Sequence, residues 1–271
     1  MLRIHWEPGR VYTLETLTDS KSEGLGKNLT TQGMKVIQTT TLTVRLEAGT
    51  KNRIVEVRFV RVHGEISSAG QVQAFDSNNP GSANAKIQKA LGRAIGKSFV
   101  LVYDDQDRYL ENREVGSLAS EKGAVTGLTA LADARNVANL FRKSLEMGLP
   151  PIAVSPGDTW TADENMVFPQ AGDTHVEMNG TFETVVERDG HKNAKIAFEG
   201  KLKSIERIDK PTNTIEIGPG STIAGHIFYD LDRRFPAYGD YTTHLTMEIL
   251  GQPIPFEQHI VSNIVSIEDV K

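Results

Sequence analysis

The side chains best suited to metal or acid–base chemistry in this chain are seven histidines: His5, His63, His175, His191, His226, His244 and His259. None pairs with another at the helical zinc spacing H-E-x-x-H. His226 and His244 stand on either side of a turn near Pro236–Gly239. Facing each other across a hairpin, they could hold a cation with Asp230 or Glu248 as a third ligand. Unrelated surface histidines explain the same spacing more simply, and no metal site is assigned. The acidic run "DDQDRYLE", Asp104 to Glu111, has the look of a calcium loop. Calcium loops need a glycine at the bend and a bidentate acid at the end, and Arg108 and Tyr109 occupy the wrong places, so the run is read as an acidic hairpin turn.

Other catalytic signatures are missing. No G-x-S-x-G elbow presents a serine nucleophile. "GPGST", Gly218 to Thr222, lacks the lysine and the following helix of a phosphate-binding loop and reads as a turn between strands. With 35 acidic residues, no two are singled out as a glycosidase pair. The chain has no cysteine, which removes disulfides, thiol redox chemistry and thiolate-held zinc. No catalytic residue and no cofactor is therefore assigned. The formal charge of −5 and the scattered Lys and Arg argue against nucleic acid as a partner.

Chemistry of another kind is available to the apolar residues. Trp6, Tyr12, Phe59, Phe75, Phe99, Phe141, Trp160, Phe182, Phe198 and Phe228 are expected to face inward. Core packing accounts for such a set. A pocket for an apolar ligand accounts for it too, because such pockets are lined mostly by aliphatic and aromatic side chains. The candidate ligand-binding residues are Phe59, Phe99, Phe141, Phe198 and Phe228, with Leu128, Leu131 and Leu145 from a helix.

The elements that must position them are mostly strands. Residues 34–47 and 53–62 alternate apolar with polar residues around Ala48–Asn52, the pattern of a long antiparallel hairpin. Residues 174–188 and 192–208 repeat it around Asp189-Gly190, a strong hairpin turn signal. Further strands are expected at 11–18, 97–103, 108–115, 158–167, 213–217, 222–231, 241–250 and 256–267. One long central helix is expected over 121–147, where Leu128, Leu131, Ala134, Ala138, Phe141 and Leu145 recur at three- and four-residue steps before Gly148. A short helix is expected near 83–95. Ser22 to Gly33 reads as a polar loop.

Two stretches suggest a repeat. "EPGRVYTLE", from Glu7, and "SPGDTWTADE", from Ser155, share Pro-Gly, a charged residue, one more residue, an aromatic and Thr. Each precedes a long hairpin. Later in each half a Gly-containing strand ends in acids and Arg, with Phe99 and Phe228 three residues after Gly96 and Gly225. The expected organisation is a duplication: an N-terminal β-rich half at 1–118, a connecting helix at 119–150 and a C-terminal β-rich half at 151–271. The expected fold is mainly β of the α+β kind, with two similar curved antiparallel sheets packed together, one long helix and one short helix.

The chain resembles a group of uncharacterised bacterial envelope proteins and lipoproteins in Gly9–Tyr12 ("G-x-x-Y"), in the Gly96–Arg108 hairpin, in the helix, and in Val154–Trp160 ("h-x-x-G-D-x-W"). It departs from their pattern at Arg108, where they usually turn on Gly. More remotely, the group is similar to the lipoprotein-carrier fold, a curved sheet covered by helices, some members of which hold an acyl chain. The resemblance implies an envelope location, periplasmic or at the surface with a leader removed, and an apolar small molecule or lipid as partner.

No apolar run approaches the roughly 20 residues needed to span a bilayer. Met1 leads straight into strand-like sequence, which fits a cytoplasmic protein as well as one freed of its leader or lipid anchor. The leading expectation is a non-enzymatic envelope protein that carries an apolar ligand or serves as a scaffold, with a cavity of about a few hundred Å3 between sheet and helix. A protein-interaction module is the alternative. An enzyme whose acids meet only in the fold is the third.

Overall fold

The computed structural model describes residues 2–22, 31–79, 81, 84, 87–88, 95–113, 134–168, 172–205, 216–249 and 252–270. In the first half the strands are β1 (Arg10–Ser22), β2 (Gln32–Leu46), β3 (Arg53–Ser68), β4 (Gln71–Asp76), β5 (Ser98–Tyr103) and β6 (Tyr109–Arg113). A helix, α1 (Ala134–Glu146), follows. The second half holds β7 (Thr159–Phe168), β8 (Gly172–Arg188), β9 (His191–Ser204), β10 (Glu216–Ile217), β11 (Ser221–Asp230), β12 (Phe235–Ile249) and β13 (Gln252–Asp269).

The strands form one antiparallel sheet in the order β6-β5-β3-β2-β1-β13-β12-β11-β9-β8-β7, with β4 added to β3 and β10 to β12. Two expectations are corrected here. The halves do not make two sheets packed face to face. They join edge to edge, β1 pairing with β13 from Arg10↔Asp269 to Ser22↔Phe256. A long strand at the edge of each half presents unpaired backbone N–H and C=O groups, and mutual pairing satisfies both rows at once. The chain is also almost entirely β rather than α+β. The described helix has 13 residues, not the 27 of the expected long one. Residues 121–133 of that expectation lie outside the described residues. Of the expected short helix only Ile87, Gln88, Asn84 and Ile95 are described, and Ile87 and Gln88 are helical.

The sheet is strongly curled. Eleven strands at about 4.8 Å spacing would put β6 and β7 roughly 48 Å apart if flat. Yet α1, about 20 Å long, touches β5 and β6 at one end of the order and β7 at the other. Bulges supply curvature. One lies at Val60, between Thr39↔Arg61 and Thr40↔Phe59; another lies at Val265, between Thr13↔Ser266 and Leu14↔Ile264. The Val60 bulge resets the alternation of β3, so Val55, Val57 and Phe59 are buried, and so is Val62, three residues further on.

Two core clusters fill the inside. The first gathers Trp6, Leu42, Val44, Val57, Phe99 and Phe235; the second gathers Trp160, Phe182, Ile196, Phe198, Ile227 and Tyr229. Helix α1 spans them, giving Val137 and Ala138 to the first while Leu140 and Met147 pack on the second. Lys143 pins it to β7 through the Asn165 carbonyl and Glu164, and Arg142 lies over the Tyr109 ring of β6 at 4.4 Å. At Gly148 the chain leaves the helix with φ of +74°, and a Cβ there would strike Phe198 and Ile227. Only glycine meets both demands.

Before β1, residues 2–7 pass between two hairpin turns, one from each half. His5 N donates to Arg234 O at 2.8 Å, and the Tyr229 hydroxyl donates to Arg3 O at 2.5 Å. On the other side Trp6 N donates to Asp107 Oδ1 at 3.1 Å, and His5 Nδ1 meets Asp107 Oδ2 at 2.8 Å. Leu2 packs into the second cluster while Ile4 and Trp6 pack into the first.

Candidate functional site

Between α1 and the middle of the sheet runs a groove of about 140 Å3. Phe141, Ser144 and Leu145 lie on one face of the helix by their three- and four-residue spacing and form its roof. Its floor straddles the β1–β13 seam, with Leu14 from β1, Tyr241 from β12 and Ile260 and Ile264 from β13. Phe198 and Ile227 close one wall. The described lining includes no Asp, Glu, Lys, Arg or His; its polar groups are the neutral ones of Thr16, Gln38, Ser144, Tyr238, Tyr241, Ser262 and Asn263.

Tyr241 is placed by glycine. It faces Gly225 across β11 and β12, where a Cβ on residue 225 would collide with the Tyr241 side chain. Its ring meets Phe198 at 5.9 Å between centroids. Burial alone pushes its hydroxyl up to about 12, so the group stays neutral and able to donate at any physiological pH.

The candidate ligand residues fall into four situations. Phe141, Leu145 and Phe198 line the groove. Phe59 and Phe99 are packed in the first core cluster, 6.1 Å apart, and Phe99 backs Phe141 edge-on at 5.9 Å without lining the groove. Phe228 is on the other face of β11, because Ile223, Ile227 and Tyr229 claim the inward alternation; Tyr238 and the Arg188 guanidinium cover it. Leu128 and Leu131 lie outside the described residues. The sequence reading missed Leu14, Ile227, Tyr241, Ile260 and Ile264. Strand alternation marked most of them as inward, but no local signal shows that β1 and β13 are neighbours. The groove is also smaller than the expected few hundred Å3. A second depression, about 590 Å3, lies over Trp160 beside Pro151 and Ile152, but it is open and bordered mostly by exposed residues.

The polar clusters are elsewhere. His226 and His244 are not opposite each other: the register pairs His226 with Asp240 and His244 with Thr222, four residues apart along the strands. His226 is instead near Glu183 at 3.9 Å, and His244 near Glu257 at 3.5 Å. Asp104–Arg108 is the acidic hairpin turn expected of it. Asp104 Oδ1 accepts from Gln106 N and Arg108 N, each at 2.9 Å, and Arg108 Nε donates to Oδ2 at 2.6 Å. These donors hold the Asp104 carboxyl below its ordinary value, the Arg108 backbone N–H most of all. At the corresponding turn of the second half, His191, Asp230 and Asp232 come together.

No family model matches this chain, and no curated protein matches it. Among solved structures it is similar to a candidate AttH from Nitrosomonas europaea, at 11% identity over 93% of this chain and 92% of that one, with a TM-score of 0.19. A LolA superfamily protein from the same organism is 8% identical over 98% of this chain and 88% of that one, with a TM-score of 0.14. Likeness at that level carries no argument about fold or activity. No described helix is long and apolar enough to cross a membrane.

Proposed function

We propose that the protein binds or carries a small, uncharged, apolar ligand in the groove between α1 and the β1–β13 seam, and that it does so without catalysis, in the bacterial envelope. The observation that supports this reading is the uncharged lining beneath a helix that bridges both ends of a curled sheet. A buried charge without a partner is costly, so a groove lacking charged side chains disfavours an anionic or cationic group at its floor. About 140 Å3 matches one aromatic ring, since an engineered apolar cavity of about 150 Å3 takes up benzene. A longer chain would extend out of the groove. The envelope location follows the sequence resemblance. The duplication belongs to the same proposal: from β6 to β1 and from β13 to β7 the order runs from late strands to early ones, as two copies laid side by side would give.

The test is displacement of the neutral fluorophore N-phenyl-1-naphthylamine by a decanol and decanoate pair, with native mass spectrometry of the purified chain alongside. Wild type is expected to bind the probe and to release it to decanol at lower concentration than to decanoate. Leu145→Trp, which fills the roof, is expected to weaken probe binding at least about tenfold. Probe binding that is absent, or unchanged by Leu145→Trp, would remove the groove from consideration.

A further inference from the structure

The turns that end β8 and β11 bring together four side chains of metal-ligand type. His191 Nδ1 lies 3.6 Å from Asp230 Oδ2 and 3.8 Å from Asp232 Oδ2, and the three donor atoms are all within 4.8 Å of one another. Tetrahedral zinc with legs of about 2.0–2.2 Å needs its donors about 3.3–3.6 Å apart, so these atoms need close by only tenths of an ångström. Asp230 is 1% exposed. Its Oδ1 accepts from Asp232 N and Arg233 N, at 2.9 Å each, whereas Oδ2 has only His191 and the Arg233 Nε, both at 3.6 Å.

A second, independent observation points to a ligand. Asn193 is the register partner of Asp230 on β9, so the two side chains leave the sheet on the same face, next to each other. Asn193 is also 1% exposed. Its Nδ2 is tied to His191 O at 3.0 Å and Arg188 O at 3.4 Å, while its Oδ1 is buried with no hydrogen-bond donor among the described residues. The reverse amide orientation would set that oxygen against two carbonyl oxygens, so the acceptor must be the end left without a donor. A buried carbonyl oxygen beside an incompletely bonded buried carboxylate favours a cation between them.

We propose that His191, Asp230, Asp232 and the Asn193 side-chain oxygen form a zinc-binding site at the end of the β8–β9 and β11–β12 hairpins. One imidazole nitrogen and three oxygens suit zinc. Magnesium and calcium, which prefer all-oxygen shells of six or more, are disfavoured. Arg233 is the competitor: its guanidinium is the counter-charge for Asp230 without metal, and it is exposed enough to swing away when zinc enters. Asp232, 67% exposed in its side chain, provides the entry path.

The test is calorimetric titration of the full chain with zinc chloride, with magnesium and calcium chlorides as controls, together with anomalous diffraction at the zinc edge from soaked crystals. One zinc per chain is expected, within bonding distance of His191 Nδ1 and the two carboxylates. His191→Ala and Asp232→Asn should each weaken binding at least about tenfold, while Arg233→Gln should tighten it severalfold, which a purely structural role for the arginine would not do. His175→Ala should change nothing. Both weakening substitutions are at partly exposed side chains, and unchanged circular dichroism without metal shows that each variant is folded. Absent binding overturns the site. So does affinity indifferent to His191→Ala and Asp232→Asn, or an anomalous peak at His175 with Asp163 and Glu177.

Discussion

The turn from β5 to β6 and the turn from β11 to β12 begin alike and end differently. Both open with Tyr-Asp, Tyr103-Asp104 and Tyr229-Asp230, and both close on an aromatic, Tyr109 and Phe235. Each uses its first Asp to cap the backbone N–H groups that follow, and each bends through a non-glycine residue of positive φ, Asp107 at +60° and Arg234 at +55°. In the first turn Asp104 is saturated by Arg108, and Asp107 is committed to the N-terminal segment and to Arg53, whose Nε is 3.3 Å away. In the second turn the buried acid is Asp230 itself, and its second oxygen has no close donor. One turn design has thus become an anchor on one side and a donor cluster on the other.

Breaking the anchor should give the larger effect. Asp107→Ala leaves Arg53, His5 and the Trp6 N–H without their shared acceptor in a buried place. The expected loss is about 3–4 kcal/mol, read as a lower midpoint in urea denaturation. Asp230→Ala removes two backbone caps but releases Arg233 to solvent, so a loss of about 2 kcal/mol is expected by the same measurement. If the two losses were equal, the distinction between anchor and cluster would have no energetic content. The smallest effect is an acid one. Asp104 is held below its ordinary value, so the stability it adds is complete above about pH 4 and fades as pH falls through its folded value. The stability gap between wild type and Asp104→Asn should therefore narrow from pH 6 to pH 3.

Local patterns made most of the elements legible. Asp189-Gly190 turns with φ of +53° and +76°, the geometry that its residue types favour between alternating strands. The Gly148 stop was equally plain. Pairing between distant parts was not. Nothing near Arg10 indicates that its guanidinium will meet Asp269 at 2.6 Å, because that contact follows from which free strand edges find each other. The same holds for the groove. Phe141 and Leu145 were visible on a helical stripe, whereas Leu14, Tyr241 and Ile264 join them only because β1, β12 and β13 are adjacent. Phe228 shows the limit of composition: an aromatic in a strand faces inward only if its parity does, and here Ile227 and Tyr229 hold that parity. The His191 cluster joins residues from two hairpin ends, which no spacing rule links.

The β1–β13 seam sets an order of events for folding. β1 is among the first segments to leave the ribosome, and its partner on one side is the last strand made. Through most of synthesis β1 can pair with β2 alone, and its other edge stays open to strands of neighbouring chains. Closing the sheet then requires a contact between the two ends of the chain, the kind of long-range step that slows folding most. The rate at which this protein matures is therefore governed by a single late zipping at its centre, and the interval before it is when the chain is most in need of protection.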